Sequence, residues 1–253
     1  MKKAELFLFT ILFILAFDPL FGQTTLFDDT RTIYKKELVG GVVLHGDGWG
    51  LNFGIGKHIT ARHRRMIQFE IVGMKHPKEV KSFNPYYEDS RGYFYGKMNS
   101  FMIFRPTYGR KNQLTDKLRK SGVEVNYVWA IGPSIGFTKP IYLEIGKPSI
   151  PYEFIVTEKY DPKEHFIDDI FGRASWFKGT DELKIHPGLF AQFGLNFEYA
   201  SQRSGVKAIE AGVSIDLYPE AIPIMADLGS VQNKQFFFEF YISLKFGKKF
   251  THS

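Results

Sequence analysis

The residues best equipped for chemistry in this chain are charged side chains set on the polar rows of alternating segments: Glu70, Lys97, Arg105, Glu124, Glu198, Glu210, Asp216, Glu239 and Lys245. Six acids facing three bases in one narrow interior would form a network of ion pairs and hydrogen bonds, because buried charge is tolerated only when it is paired. Arg105 is the expected hub, since its planar fork can hold two carboxylates at once. A proton path or a narrow pore is the other chemistry that such a row would allow.

Other patterns point to chemistry by spelling and lose it by context. Gly132-Pro133-Ser134-Ile135-Gly136 matches G-x-S-x-G, in which the serine of a hydrolase sits on a sharp strand-to-helix turn. Here both flanks read as strand, so Ser134 is expected as a small inward residue between glycines. GDGWGLNFGIGK invites a phosphate loop, but G-x-x-x-x-G-K would need glycine at Leu51, and His58 follows Lys57. G-x-G-x-x-G also fails in every register, and a hairpin fits better. Glu164, His165, Asp168 and Asp169 could meet a divalent cation if the segment were helical, because His165 and Asp169 would share a face. Two such ligands on one loop are weak evidence for a metal, and a solvated loop helix is the expected reading. No metal or cofactor is expected.

The elements that must position the charged row are strands. In FFFEFYISLKFGKKF, Phe236, Phe238, Phe240, Ile242, Leu244 and Phe246 form one row, and Phe237, Glu239, Tyr241, Ser243, Lys245 and Gly247 the other. Strict period-two alternation is a β-strand with two unlike faces. Eight such segments are predicted: about 36–45, 49–58, 65–74, 94–108, 123–137, 189–199, 206–218 and 236–250. The facing of the first and fourth is the least clear. The polar rows are rich in Gly, Ser and Asn, which suits the crowded lumen of a small barrel and not a solvated surface. The apolar rows are large and aromatic, which suits lipid. The predicted connections at 75–93, 138–187 and 219–235 are long and fall on one side, whereas those at 59–64 and 200–205 are short. This asymmetry is that of membrane barrels. A short helix is expected within DPKEHFIDDIFGRASWFKG, where Phe166, Ile167, Ile170 and Phe171 recur at helical spacing.

The N-terminus sets the compartment. Lys2 and Lys3 precede the apolar run 6–17, Asp18-Pro19 breaks it, and Gly22-Gln23 offers a cleavage site. The run is shorter than the roughly 20 residues a spanning helix needs, so it reads as a secretory signal peptide at 1–23 ahead of a barrel domain at 24–253. The chain has no cysteine and a net charge of +6. Its Lys and Arg are scattered, with no block of like charge, so nucleic acid is not an expected partner. A basic surface facing anionic lipid head groups accounts for the charge.

The chain resembles small outer-membrane β-barrel proteins of the Bacteroidota, a largely uncharacterised family. The likeness rests on KHPKEVKSFNPYY, GKMNSFMIFRPTYGRK, KYDPKEH with FGRASWFKG, and HPGLFAQFGLNFEYA. It implies location and fold and carries no catalytic residues. The expectation is therefore all-β: an eight-stranded antiparallel up-and-down transmembrane barrel of the outer membrane, with long external loops and both termini periplasmic. Its expected partners are outer-membrane lipid, the barrel-assembly machinery during insertion, and an unidentified envelope protein. The expected role is non-enzymatic, structural or interactive, through the loops. The alternatives are a lipid A-modifying enzyme and a narrow small-solute pore.

Overall fold

The computed structural model describes residues 34–251 apart from 89, 116–121, 149, 200–203, 228 and 230. The expected signal peptide and its cleavage point lie outside them. Eight long strands close on themselves: β1 (Lys36–His45), β2 (Gly48–His58), β3 (His63–Met74), β6 (Asn99–Thr115), β7 (Glu124–Pro140), β11 (Lys184–Glu198), β12 (Gly205–Leu217) and β13 (Phe236–Phe250). Neighbours around the barrel are neighbours in this order, all antiparallel, and β13 returns to pair with β1. The fold is thus the expected eight-stranded up-and-down barrel. Following hydrogen-bonded partners around the wall, Lys36 leads through Lys57, Arg65, Arg110, Trp129, Phe193 and Val213 to Phe240. Phe240 lies at the far end of β1, because its neighbour Tyr241 pairs with His45. That stagger is the strand tilt that closure of a small barrel requires.

The first and last strands have the predicted bounds, and others are displaced. β6 begins at Asn99, not near Phe94, and runs on to Thr115; β11 begins at Lys184. Short strands occupy the loops: β4 (Lys81–Ser82) pairs with β5 (Tyr93–Phe94), while β8 (Tyr142–Lys147) lies between β9 (Phe154–Lys159) and β10 (Ile170–Arg173). The short helix expected within 161–179 is not formed. The Asp161 carbonyl accepts hydrogen bonds from the amides of Glu164 and His165, the Phe166 carbonyl accepts from Asp169, and the chain then enters β10. Edge pairing with β8 takes Ile170 into the core, so Ile170 and Phe171 sit on opposite faces of a strand instead of one face of a helix.

Alternation sorts the wall. Outward rows are apolar on every barrel strand, for example Trp49, Leu51, Phe53 and Ile55 on β2, and Phe236, Phe238, Phe240, Ile242, Leu244 and Phe246 on β13, all exposed. Phe240 is 72% exposed whereas its neighbour Tyr241 is 4% exposed. Toward the terminal end the apolar band gives way to outward cations. Lys36 pairs with Lys57, Lys57 with Arg65, and Arg65 with Arg110, with Lys207 and Lys248 on the strands behind. Glycines on the inner face make room for larger neighbours. A Cβ on Gly56 would stand 2.4 Å from Glu37 Cγ, and one on Gly194 would stand 2.5 Å from the Tyr241 hydroxyl. Among the described residues no helix is long and apolar enough to cross a membrane.

Candidate functional site in the lumen and the loop layer

The inward rows stack into three polar layers. Near the loop end, Arg105 on β6 is fully buried. Its Nε donates to Asp216 Oδ1 at 3.0 Å, Nη2 to Asp216 Oδ2 at 2.5 Å, and Nη1 to Glu70 Oε1 at 2.5 Å. The guanidinium also covers the Phe190 ring at 4.6 Å, and His45 Nε2 lies 3.3 Å from Nη1. Ser134 donates to Asp216 Oδ1 at 2.6 Å and meets the Tyr218 hydroxyl at 2.7 Å. The serine of the G-x-S-x-G spelling is thus enclosed between a carboxylate and a phenol, on a strand.

In the middle layer, Lys245 Nζ donates to Glu210 Oε1 at 2.7 Å, as does the Tyr241 hydroxyl at 3.1 Å, while Asn196 Nδ2 donates to Glu210 Oε2 at 2.9 Å. At the terminal end, Arg64 reaches three carboxylates: Glu37 at 3.2 Å, Glu124 at 2.7 Å and Glu198 at 3.4 Å. Lys111 lies 3.3 Å from Glu198 and 3.8 Å from Glu37, and Lys249 lies 2.5 Å from Glu198. A cavity bordered by Glu37, Lys111, Asn196 and Glu210 measures about 10 Å³, no more than one water molecule needs.

Of the nine charged residues read from the sequence, Arg105, Glu70 and Asp216 are brought together, as are Glu210 and Lys245, and as are Glu124 and Glu198. Glu239 stands apart, its Oε2 accepting from the Asp47 amide at 3.3 Å in the β1–β2 turn. Lys97 is not in the lumen. It precedes β6, and in the loop layer its Nζ donates to Glu79 at 2.6 Å and covers the Phe94 ring at 5.2 Å. The expected excess of acids narrows and is confined to the loop end, where Glu70, Asp216 and Glu239 face Arg105 with His45. Sequence reading missed Arg64, Lys111 and Lys249, each inward on its strand, along with Glu37 and His45. With them the terminal layer holds three acids against three bases, and the middle layer one against one. Continuing the alternation of β3 by one residue and of β6 by three would have found Arg64 and Lys111.

The loops form a second body of contacts. The connection from β12 to β13 packs Ile222, Ile224, Met225 and Val231 over the mouth and onto Val43, Val72, Phe101, Ile103 and Phe237. It is pinned there by Ile224 O, which accepts from the Met98 and Asn99 amides at 3.0 and 3.1 Å. Tyr93, Leu143, Ile145, Tyr160 and Ile170 form a separate apolar cluster among the loop strands. Asn84 ties it together, donating to the Tyr152 hydroxyl at 2.9 Å and to Ile170 O at 2.8 Å. His165 and Asp169 do not converge. His165 Nε2 faces Glu158 at 3.2 Å, and Asp169 accepts from the Phe166 amide. Lys147, hydrogen-bonded to Glu158, holds that carboxyl below its usual range, with His165 adding to the effect. Burial raises the Tyr160 phenol. Among the described residues no three carboxylate, thiol or imidazole groups come together as a metal site would need.

Between the loop strands and the tops of β6 and β7 opens a cleft of about 410 Å³. Arg91, Lys97, Lys139, Arg173 and Lys178 line it together with the aromatic residues Tyr93, Phe94, Tyr142 and Trp176, and no carboxylate is among its lining residues. Lys139 lies 4.8 Å from the centre of the Trp176 ring and donates to the carbonyls of Trp176 and Lys178.

The chain path is similar to that of Ail, the attachment invasion locus protein of Yersinia pestis, at 9% identity over 86% of this chain and 100% of that one, with a TM-score of 0.40. Ail in complex with the heparin analogue sucrose octasulfate matches with the same figures of 9%, 86%, 100% and 0.40. Neisserial surface protein A (NspA) is similar at 8% identity over 85% of this chain and 96% of that one, with a TM-score of 0.40. No family model matches the sequence. No curated protein matches it either.

Proposed function

We propose that this is a non-enzymatic outer-membrane protein, a barrel whose lumen is closed by its own charged side chains and which acts through the structured loops at one end. The observation that carries this reading is the wall. Apolar side chains face outward on all eight strands, and a rim of cations bounds them at the terminal end. That is the profile of a surface inserted in hydrocarbon and edged by anionic head groups. Support for a scaffold over a pore comes from three layers of charged side chains that cross the lumen and from the water-sized cavity between two of them. The loop end carries three long connections against short ones at the other, which supports loops outside and termini in the periplasm. The basic and apolar sequence of residues 1–23, read as a signal peptide, supports export, and the quoted motifs support placement among small barrels of the Bacteroidota. Surrounding lipid and the barrel-assembly machinery are the partners this reading implies.

The test is expression with the native leader in a Gram-negative host. The mature protein should fractionate with the outer membrane, start near Gln23 or Thr24, and lose external loops to protease on intact cells while its termini stay protected. In planar bilayers it should show no steady conductance. Recovery from the soluble periplasm, or Met1 retained on inserted protein, would contradict the reading, and a stable open channel would favour the pore.

A further inference from the structure

We infer that the basic cleft at the loop end is a binding site for a phosphorylated saccharide, a proposal that rests on the loop-mediated role above and names its ligand class. Three features of the cleft lead to this. First, Arg91, Lys97, Lys139, Arg173 and Lys178 come from separate loop and strand segments yet border one space without a carboxylate among its lining residues. Like charges so gathered repel one another, and an anion relieves the repulsion. Lys97 has Glu79 as partner, but Lys139 is 8% exposed and rests on two backbone carbonyls, which bind its protons without neutralising its charge. Guanidinium groups such as Arg91 and Arg173 suit the tetrahedral oxyanions of phosphate esters, which accept bidentate contacts.

Second, the cleft has an aromatic wall. Trp176 is 66% exposed, with Lys139 beside its ring. An exposed indole next to fixed cations offers an apolar face for a sugar ring and charges for its substituents. A volume of about 410 Å³ falls within the range of small-molecule sites. Third, the cleft is placed where such a group is at hand. Ser100 and Lys139, which border it, lie at the ends of β6 and β7, just above the outward apolar residues Met102 and Phe137. The same chemistry is available as a lipid head group at that level or as a soluble sugar phosphate.

The two sources separate in one experiment on the full barrel in detergent and in nanodiscs. A Trp49→Phe, Trp129→Phe background leaves Trp176 as the sole indole. Titration with glucose 1,6-bisphosphate should change its fluorescence saturably, and added salt should weaken the effect. Arg91→Ala and Lys178→Ala should each weaken binding about tenfold, the scale of one charge-assisted contact, and Lys178→Arg should restore most of the loss. Glucose and inorganic phosphate alone should bind far more weakly. In nanodiscs, a response to a phosphorylated glucosamine disaccharide lipid but not to phosphatidylglycerol assigns the site to a lipid head group. A response to the soluble bisphosphate only assigns it to a free ligand.

No saturation by either form up to roughly 10 mM, equal binding of inorganic phosphate, or affinities unmoved by the charge removals would overturn the proposal. The protein's unchanged electrophoretic shift between unheated and boiled samples shows that each variant is folded. Failure of this titration leaves outer-membrane location and the closed lumen standing, because those are read by fractionation and conductance.

Discussion

Replacing Arg105 with alanine destabilises the barrel by roughly 3–5 kcal/mol, the range for removing one side of a buried ion pair. The effect is large because Arg105 is 0% exposed and three of its guanidinium nitrogens are committed to Asp216 and Glu70. Alanine leaves both carboxylates inside the wall, with His45 as the remaining neighbour of Glu70 at 3.6 Å. It also bares the Phe190 ring and leaves Ser134 and Tyr218 organised around an anion without its cation. Arg105→Lys should recover only part of the loss, since a point charge cannot reproduce the paired contacts to Asp216. Removing the charges together, as Arg105→Met with Glu70→Gln and Asp216→Asn, should cost less than Arg105→Ala alone. Reversible urea unfolding in lipid vesicles measures all three. A loss below about 1 kcal/mol for Arg105→Ala would contradict a buried hub.

Arg64→Ala should have an effect of the same order, roughly 3–5 kcal/mol, for a related reason. Arg64 is the ion-pair partner of Glu124 and shares Glu37 and Glu198 with Lys111 and Lys249. The two arginines have no partner in common, and the Glu210–Lys245 layer lies between them. Their losses should therefore add to within about 0.5 kcal/mol in a double-mutant cycle. If the double variant fails to fold, the cycle runs with lysine at both positions. A coupling above about 1 kcal/mol would mean that the lumen is one continuous network instead of stacked layers.

The barrel was legible in the sequence because lipid-facing and lumen-facing positions differ in size as well as polarity. Phe238 and Phe240 against Glu239 and Tyr241 show it on β13, and Leu51 and Phe53 against Gly50 and Asn52 on β2. The facing of β1 was obscured because its inner row carries Val39 and Val43, which pack under neighbouring side chains as the outer row would pack against lipid. Part of the lumen was lost at the strand ends. With the third segment begun at Arg65 and the fourth ended at Tyr108, Arg64 and Lys111 fell outside the alternation, and the interior read as acidic. Lys97 shares the odd-numbered row of Arg105 in the sequence, but β6 begins only at Asn99, which leaves Lys97 in the loop layer.

The loop layer had no local signal of its own. The partners of β8 are β9 and β10, and the apolar spacing of 166–171 suits a helix until edge pairing with β8 claims it. The basic cleft is a product of folding alone. Arg91, Lys139 and Lys178 are unremarkable in separate segments, and only the docking of the loops onto β6 and β7 brings them to one space.

The central claim is that the apolar rows face lipid and the charged rows face a closed interior. Single cysteines at 238 to 244, spin-labelled in vesicles, test it most directly. Labels replacing Phe238, Phe240, Ile242 and Leu244 should relax rapidly with oxygen, and labels replacing Glu239 and Tyr241 should be shielded from it. Faster collision with oxygen at the odd positions, or no alternation along β13, would contradict the account.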